Sequence, residues 1–368
     1  MIYLDNAATS RKKPIPVLLS ALKTAAFSAN AGRGGHKAAI RTSLKIEKTR
    51  EIIREKFFDG EVVFTKNCTE AINLVLTGLP LSGQIITTCF DHNSVLRTVK
   101  KLESAGKIRM KVISPREGGF LQPLEEALSA GDTSLVIMSG ASNVTGKPLP
   151  IEELAALVKK KSKALFVLDA AQTAGHVSYD YKNVDILCAS GHKGLLGLQG
   201  TGFALFRKNI VCKPLLTGGT GTSSYTIEIP KEVPEGLEAG TLNAVGIISL
   251  YYGVRHAFNH MERMERKYLR LRKQFLTILS EQKNIEIYDS DGSIVLCNVK
   301  GKSSEEIADE LSAKGVYVRG GLHCAPLMHR YLGTGTRGAI RFSFGENNNF
   351  LQVCLAAVIF KKVAQKYE

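Results

Sequence analysis

The chain is 368 residues long, about two domains' worth at ~150 residues each, and carries 49 Lys and Arg against 34 Asp and Glu, a net charge of +15. With 44% hydrophobic and 23% charged residues it is too apolar to be disordered, and 34 Gly, 11 Pro and no Trp bring no collagen-like or low-complexity bias. The basic surplus suits a nucleic acid or another acidic partner, and suits an anionic cofactor or substrate equally well. From residue 60 to about 210, short apolar runs alternate with segments of helical period. Strands are expected over Val62–Thr65, Gln84–Thr88, Met110–Ser114, Ser134–Ser139, Leu165–Asp169, Asp185–Ala189 and Phe203–Phe206, and helices over Glu70–Thr77, Ser94–Glu103, Leu124–Ser129 and Ile151–Lys161. That alternation predicts βαβ units and a mostly parallel sheet covered on both faces, hence an α/β fold. The unbroken apolar runs Val136-Ile137-Met138 and Phe166-Val167-Leu168 suit strands buried on both sides.

After about residue 210 the texture changes. Residues 217–243 are rich in Gly, Thr and Pro and read as loops. A long helix is expected from Val245 to about Gln282, its charged face including Glu262, Arg263, Arg266 and Arg270. Then come a strand (Ser293–Val299), a helix (Ser304–Lys314), two strands (Val316–Arg319 and Ala339–Phe344) and a helix (Asn348–Lys366), an α+β unit of about 120 residues with its boundary near 245. No internal repeat is visible.

Seven cysteines, scattered and without a CxxC pair, give no disulfide framework and no zinc motif. Met1-Ile2-Tyr3-Leu4-Asp5-Asn6 is no signal peptide, and no run of ~18 apolar residues predicts a membrane span. Free thiols point to the reducing cytoplasm. Gly301-Lys302-Ser303 is not a P-loop, because the required upstream glycine is Leu296. His256 and His260 have zincin spacing, but Ala257 stands where the general base belongs, so they read as helix-surface histidines. Lys159-Lys160-Lys161 ends a predicted helix, where positive charge suits the macrodipole.

The strongest local signal is Ser190-Gly191-His192-Lys193-Gly194, directly after a predicted strand. Open α/β sheets bind ligands at the carboxyl ends of their strands. Asp169, in Asp169-Ala170-Ala171-Gln172, ends the preceding strand. An amine and a carboxylate on neighbouring strand ends suit a pyridoxal phosphate site, and suit a structural ion pair equally. Three more strand ends carry complementary groups. Thr65-Lys66-Asn67-Cys68-Thr69-Glu70 opens a helix, a natural phosphate seat. Asp91-His92-Asn93 places an imidazole, and Ser142-Asn143-Val144-Thr145-Gly146 an amide, at the same rim.

These motifs, with Tyr3-Leu4-Asp5-Asn6-Ala7-Ala8-Thr9 and Thr69-Glu70-Ala71-Ile72-Asn73, resemble in order and spread the class V aminotransferase family, and within it the cysteine desulfurases of NifS/SufS type. The resemblance implies the fold-type I architecture, pyridoxal phosphate as cofactor, and a homodimer with active sites at the subunit interface. It implies a large cofactor domain over 12–245 and a small α+β domain made of 1–11 plus 246–368. It assigns Lys193 as the Schiff-base lysine, Asp169 as the partner of the pyridine nitrogen and His92 as the group stacked on the ring. It sets Gln172 on the phenolic oxygen, Asn143 beside that oxygen and the substrate carboxylate, and Thr69, Ser190 and His192 on the phosphate. Thr241, in Glu238-Ala239-Gly240-Thr241, matches a threonine that reaches the partner subunit's phosphate. Arg341 matches the clamp on the substrate carboxylate, and Val318-Arg319-Gly320-Gly321-Leu322-His323-Cys324-Ala325 resembles the catalytic-cysteine loop of the SufS-like group.

The implied reaction turns L-cysteine into L-alanine and a persulfide on Cys324, for transfer to a protein acceptor and iron–sulfur cluster assembly. Neither nucleic acid nor membrane is expected as a partner. Selenocysteine as substrate, giving a lyase, and another class V reaction such as transamination are the enzymatic alternatives. A non-enzymatic basic binding module is the alternative from a different class. The chain departs from the family at Leu198 and Leu242, where proline is usual, and at Cys68, where a second hydroxyl is frequent. The family's usual N-terminal helix, ahead of the Leu-Asp-Asn motif, is expected to be short or absent.

Overall fold

The computed structural model describes residues 1–32, 35–221 and 225–368, so residues 222–224 of the loop expected over 217–243 lie outside the described residues. In chain order come β1 (Ile2–Tyr3), α1 (Ile15–Phe27), α2 (Lys37–Lys56), β2 (Glu61–Thr65), α3 (Cys68–Gly78), β3 (Gln84–Thr88), α4 (Asn93–Ser104), β4 (Arg109–Ile113), α5 (Leu121–Ser129), β5 (Thr133–Ser139), α6 (Ile151–Lys161), β6 (Leu165–Asp169), β7 (Ile186–Ser190) and β8 (Gly202–Phe206). The second half adds α7 (Ala244–Leu279), β9 (Ile285–Tyr288), β10 (Ile294–Val299), α8 (Ser304–Ala313), β11 (Val316–Tyr317), α9 (Pro326–Tyr331), β12 (Ile340–Ser343) and α10 (Phe350–Gln365).

Seven strands form the central sheet in the order β2-β8-β7-β6-β5-β3-β4. All neighbours pair in parallel except β8, which runs antiparallel to both β2 and β7. The fold is therefore α/β with a mostly parallel sheet, as the alternation of apolar runs predicts. Strands β7 and β8 are buried along their whole length, consistent with helices on both faces. Because β6 and β7 are parallel neighbours, their carboxyl ends, Asp169 and Ser190, open on the same edge of the sheet.

A three-stranded antiparallel sheet, β12-β10-β9, and the parallel pair β1-β11 make up the second half. The amino-terminal segment belongs with them: Ile2 pairs with Val316, and Asp5 bridges to Ser343. Helix α7, with 36 residues, runs from the core beside the central sheet (Ile247, Leu250, Val254) into the core of the second (Tyr268, Phe275, Leu279).

Helices α1 and α2 are absent from the sequence reading, and their composition explains it. Their core faces mix alanine and threonine with apolar residues, Val17, Ala21 and Thr24 in one and Ala39, Thr42, Ile46, Thr49, Ile52 and Ile53 in the other, which breaks up an apolar period. The larger apolar residues of α1, Ile15, Leu18 and Leu22, face outward, so the apolar period points the wrong way. Helix α1 follows the Leu-Asp-Asn motif rather than preceding it. His256 also differs from a simple surface histidine, since its Nε2 lies 2.8 Å from Glu346 Oε1. No helix among the described residues is long and apolar enough to cross a membrane.

Candidate functional site

Strand β6 ends on Asp169, whose Oδ1 accepts hydrogen bonds from the Ala171 amide (2.9 Å) and from the Cys68 thiol (3.3 Å). Both bonds fall on one oxygen, which leaves Oδ2 for whatever fills the cavity alongside. Cys68 is the first residue of α3, and burial pushes its thiol pKa up well above the usual value, so it stays a neutral donor. Lys193 lies in the turn after β7. Desolvation lowers its pKa from the ordinary lysine value, against the opposing pull of the Asp169 carboxylate.

A cavity of about 380 Å³ of open space is lined by Thr69, His92, Asn143, Asp169, Gln172 and Lys193 together with a few neighbours. They come from the carboxyl ends of the strands and the segments that follow them, Asp169 and Gln172 sharing the end of β6. Asn67 caps α3 by accepting from the Glu70 amide (2.9 Å), which leaves the first amides of the helix facing the cavity beside Thr69. His92 caps α4 in the same way. Its Nδ1 accepts from the Ser94 amide (3.0 Å), which puts the ring proton on Nε2, and desolvation lowers its pKa so the ring stays neutral. Gln172 donates to the Ala7 carbonyl at 3.2 Å and ties the amino-terminal motif to the cavity. The Ser190 hydroxyl at the end of β7 is buried without a hydrogen-bond partner among the described residues.

The second half closes the site. Arg341, on β12, is 2% exposed. Its Nη2 donates to Asp5 Oδ1 (2.9 Å) and its Nη1 to the Asn143 carbonyl (2.6 Å), while its Nε has no partner. Asn143 Nδ2 donates to the His323 carbonyl at 2.7 Å, and Asn143 Oδ1 is buried and unpaired. An orphaned charged donor and an orphaned acceptor, each costing about 1–3 kcal/mol unpaired, mark a place built for a ligand. Cys324 follows His323 and is the one exposed cysteine of the seven. Its carbonyl accepts from the Asn93 amide at 2.8 Å, so the thiol loop is fastened to the residue after His92.

Five of the residues named from the sequence, Ser190, His192, Thr241, Cys324 and Arg341, do not line the cavity. The His192 ring turns to Thr9 (Nδ1 to Oγ1, 3.0 Å) and does not line the cavity. Thr241 lines a different pocket, with Lys66 and Leu216. Its loop is anchored by Glu238, which receives both terminal nitrogens of Arg50 (3.0 and 2.7 Å) and the Phe64 amide (2.6 Å). Sequence reasoning assigned no role to Asp5, which holds Arg341 and also Arg319 (Nη2 to Oδ2, 3.0 Å), nor to His329 beneath the cysteine loop. Asp5 lay in a motif already quoted; nothing in the sequence pairs His329 with His323 beyond their short separation.

The family model for aminotransferase class-V matches residues 2–354. A relative from Pyrococcus abyssi, named "Probable cysteine desulfurase", is 32% identical over 96% of this chain and 92% of its own length. One of the same name from Methanothermobacter thermautotrophicus is 28% identical over 99% and 94%. A solved structure described as the apo form of a cysteine desulfurase from Thermococcus onnurineus superposes with a TM-score of 0.90 at 30% identity, covering 99% of this chain and 95% of that one.

Proposed function

The chain belongs to the class V aminotransferase family, and on that premise we propose that it is a pyridoxal-phosphate-dependent cysteine desulfurase, forming L-alanine from L-cysteine and a persulfide on Cys324. The observation that carries this reading is a junction: exposed Cys324 sits on a loop whose carbonyl accepts from the Asn93 amide, one residue after His92, which lines the cavity with Asp169 and Lys193.

The donor set fits the cofactor. An amine with lowered pKa, a carboxylate with one oxygen free, a neutral imidazole and the first residues of α3 line one cavity, and an orphaned hydroxyl, Ser190, ends the strand just before Lys193. In this reading Lys193 holds the aldehyde carbon, Asp169 the ring nitrogen, His92 the ring face and Gln172 the phenolic oxygen. Thr69 is assigned to the phosphate from the cavity, and Ser190 and His192, which do not line it, only from the family resemblance. Pyridoxal phosphate, when bound, supplies an electron sink that acidifies the α-hydrogen of an amino acid joined to it.

The chain's own groups do the rest. The orphaned Nε edge of Arg341 is assigned to the substrate carboxylate. Desolvation keeps the Lys193 amine available as a base at Nζ, where it takes and returns the α-proton. The Cys324 sulfur, as thiolate, bonds to the sulfur of the substrate. The substrate's C–S bond breaks, its electron pair stays with Cβ, and Cβ gains a proton. The balance is L-cysteine plus a thiol giving L-alanine plus a persulfide, with sulfur oxidised and Cβ reduced. The persulfide then passes to a protein acceptor.

We take the assembly to be a homodimer. Ile15, Leu18 and Leu22 make an exposed apolar stripe on α1, and Ile40 and Leu44 of α2 are exposed as well. Thr241 lies outside its own chain's cavity, as a residue serving a neighbouring copy would. We also take 12–245 as the cofactor-holding part, and 1–11 with 246–368 as the part supplying Cys324 and Arg341. The test is a visible spectrum of the purified protein before and after L-cysteine, with alanine assayed. A cofactor band that changes with cysteine, alanine release abolished in Lys193→Ala, and sulfur transfer lost with cofactor retained in Cys324→Ser are expected. Normal sulfur release by Cys324→Ser would overturn the role given to that thiol.

A further inference from the structure

The turn that carries Cys324 is strained. His323 (φ +49°) and Cys324 (φ +55°) are consecutive non-glycine residues in the left-handed region, which an L-residue's Cβ disfavours. Backbone bonds hold part of it: Ala325 N to Leu322 O (2.9 Å) and Asn93 N to Cys324 O (2.8 Å). On the other side the loop is wedged, because a Cβ at Gly338 would lie 2.7 Å from Gly321.

The His323 side chain holds the rest. It is buried, with Nε2 3.2 Å from the Arg319 carbonyl and Nδ1 3.0 Å from His329 Nε2. His329 is 0% exposed, and its Nδ1 lies 2.8 Å from Thr334 Oγ1, itself fully buried. A carbonyl only accepts, so His323 Nε2 donates to Arg319. His323 Nδ1 then accepts from His329 Nε2, and His329 Nδ1 accepts from the Thr334 hydroxyl. This single arrangement of protons satisfies all four ring nitrogens with both rings neutral. The charged groups facing the pair are the cations Arg341 and Arg319, which together with burial oppose protonation.

We propose that His329 is a positioning residue for sulfur transfer: through His323 it locks the left-handed turn that presents the Cys324 thiol to the substrate sulfur. The proposal rests on the desulfurase reading for its consequence, and on geometry alone for the lock.

Three variants of the cofactor-loaded enzyme test it. His329→Leu fills the space and removes the N–H on His323, His329→Gln returns a donor near the place of Nε2, and Thr334→Val removes only the hydroxyl that orients His329. In His329→Leu, kcat for alanine formation is expected to fall about tenfold or more with KM for L-cysteine within about twofold, since the cavity and Arg341 are untouched. Hydrogen exchange over residues 320–326 should quicken about tenfold, and His329→Gln should return both readouts to within about threefold of the parent. A His329→Leu enzyme with parental kcat and exchange overturns the proposal, as does a His329→Gln enzyme no better than His329→Leu. If His329→Leu fails to fold, Thr334→Val decides: a fall in kcat of about threefold or more at unchanged KM supports the lock, and an unchanged kcat refutes it. A parent protein that forms no alanine from cysteine refutes the desulfurase reading, while the exchange comparison still tests the turn.

Discussion

Asp5 and Arg341 form a buried ion pair at 2.9 Å, and the second oxygen of the same carboxylate carries Arg319 from the base of the cysteine loop. One residue of the amino-terminal segment thus braces the proposed carboxylate clamp and the thiol loop together. Removing one partner of a buried pair costs about 3–5 kcal/mol, because the other charge is left uncompensated. Asp5→Ala should therefore lower stability by an amount of that order and, where it still folds, raise KM for L-cysteine about 10- to 100-fold as Arg341 loses its orientation. Asp5→Asn keeps a neutral acceptor and should suffer less. Steady-state kinetics beside thermal unfolding check this, and an Asp5→Ala enzyme with parental KM would remove Asp5 from substrate binding.

Cys68 donates to Asp169 on the oxygen that also takes the Ala171 amide. Cys68→Ala deletes that donor and leaves Asp169 freer to turn. Cofactor affinity, titrated into the apoprotein by fluorescence, should weaken about three- to tenfold, and Cys68→Ser, a stronger donor, should match or exceed the parent. Since Cys68 is buried with its thiol pKa raised, iodoacetamide near pH 8 should label Cys324 first and leave Cys68 unmodified, as mass spectrometry of the digested protein would read.

Thr241 lies outside its own chain's cavity, and in the proposed homodimer its phosphate contact would be to the neighbouring copy. Mixing Lys193→Ala with Thr241→Ala subunits discriminates. In a mixed dimer one site has both Lys193 and the neighbour's intact Thr241, so cofactor affinity and alanine formation should recover toward half the parental level. If Thr241 acted within its own chain, no mixed site would be whole and nothing would recover.

Much of this site was legible in the sequence because its groups hang from strand ends. The apolar runs locate β3, β5, β6 and β7 to within a residue, and a parallel sheet then brings every carboxyl end to one edge. Asp169, His92, Asn143 and Lys193 follow from that alone; their chemistry needed the family resemblance. What the sequence hid depends on long-range pairing. Asp5 meets Arg341 across 336 positions, and Thr241 looks equivalent to any phosphate ligand until its separate pocket is seen. The His323–His329 contact is close in sequence, yet it exists only because a left-handed turn folds one ring over the other, a conformation no apolar period records. Helices α1 and α2 were hidden because alanine and threonine interrupt the apolar residues of their core faces, while Ile15, Leu18 and Leu22 point outward.

The histidine pair also predicts an acid limb of stability. Burial, then Arg341, lowers the pKa of His329 from 6.5 to about 4. The native state refuses a proton that the unfolded chain accepts below 6.5, so the unfolded state binds more protons across this window. Stability is thus undiminished above pH 6.5 and is lost progressively as pH falls from about 6.5 to about 4. Its contribution is up to roughly 2 kcal/mol once solvent screening is allowed for. His329→Gln removes that titration while keeping a donor to His323. Its unfolding midpoint should therefore fall less steeply than the parent's between pH 6.5 and 4, with the two parallel above pH 7. Urea melts at intervals across the range measure this, and identical acid limbs would show that His329 is protonated in the native protein.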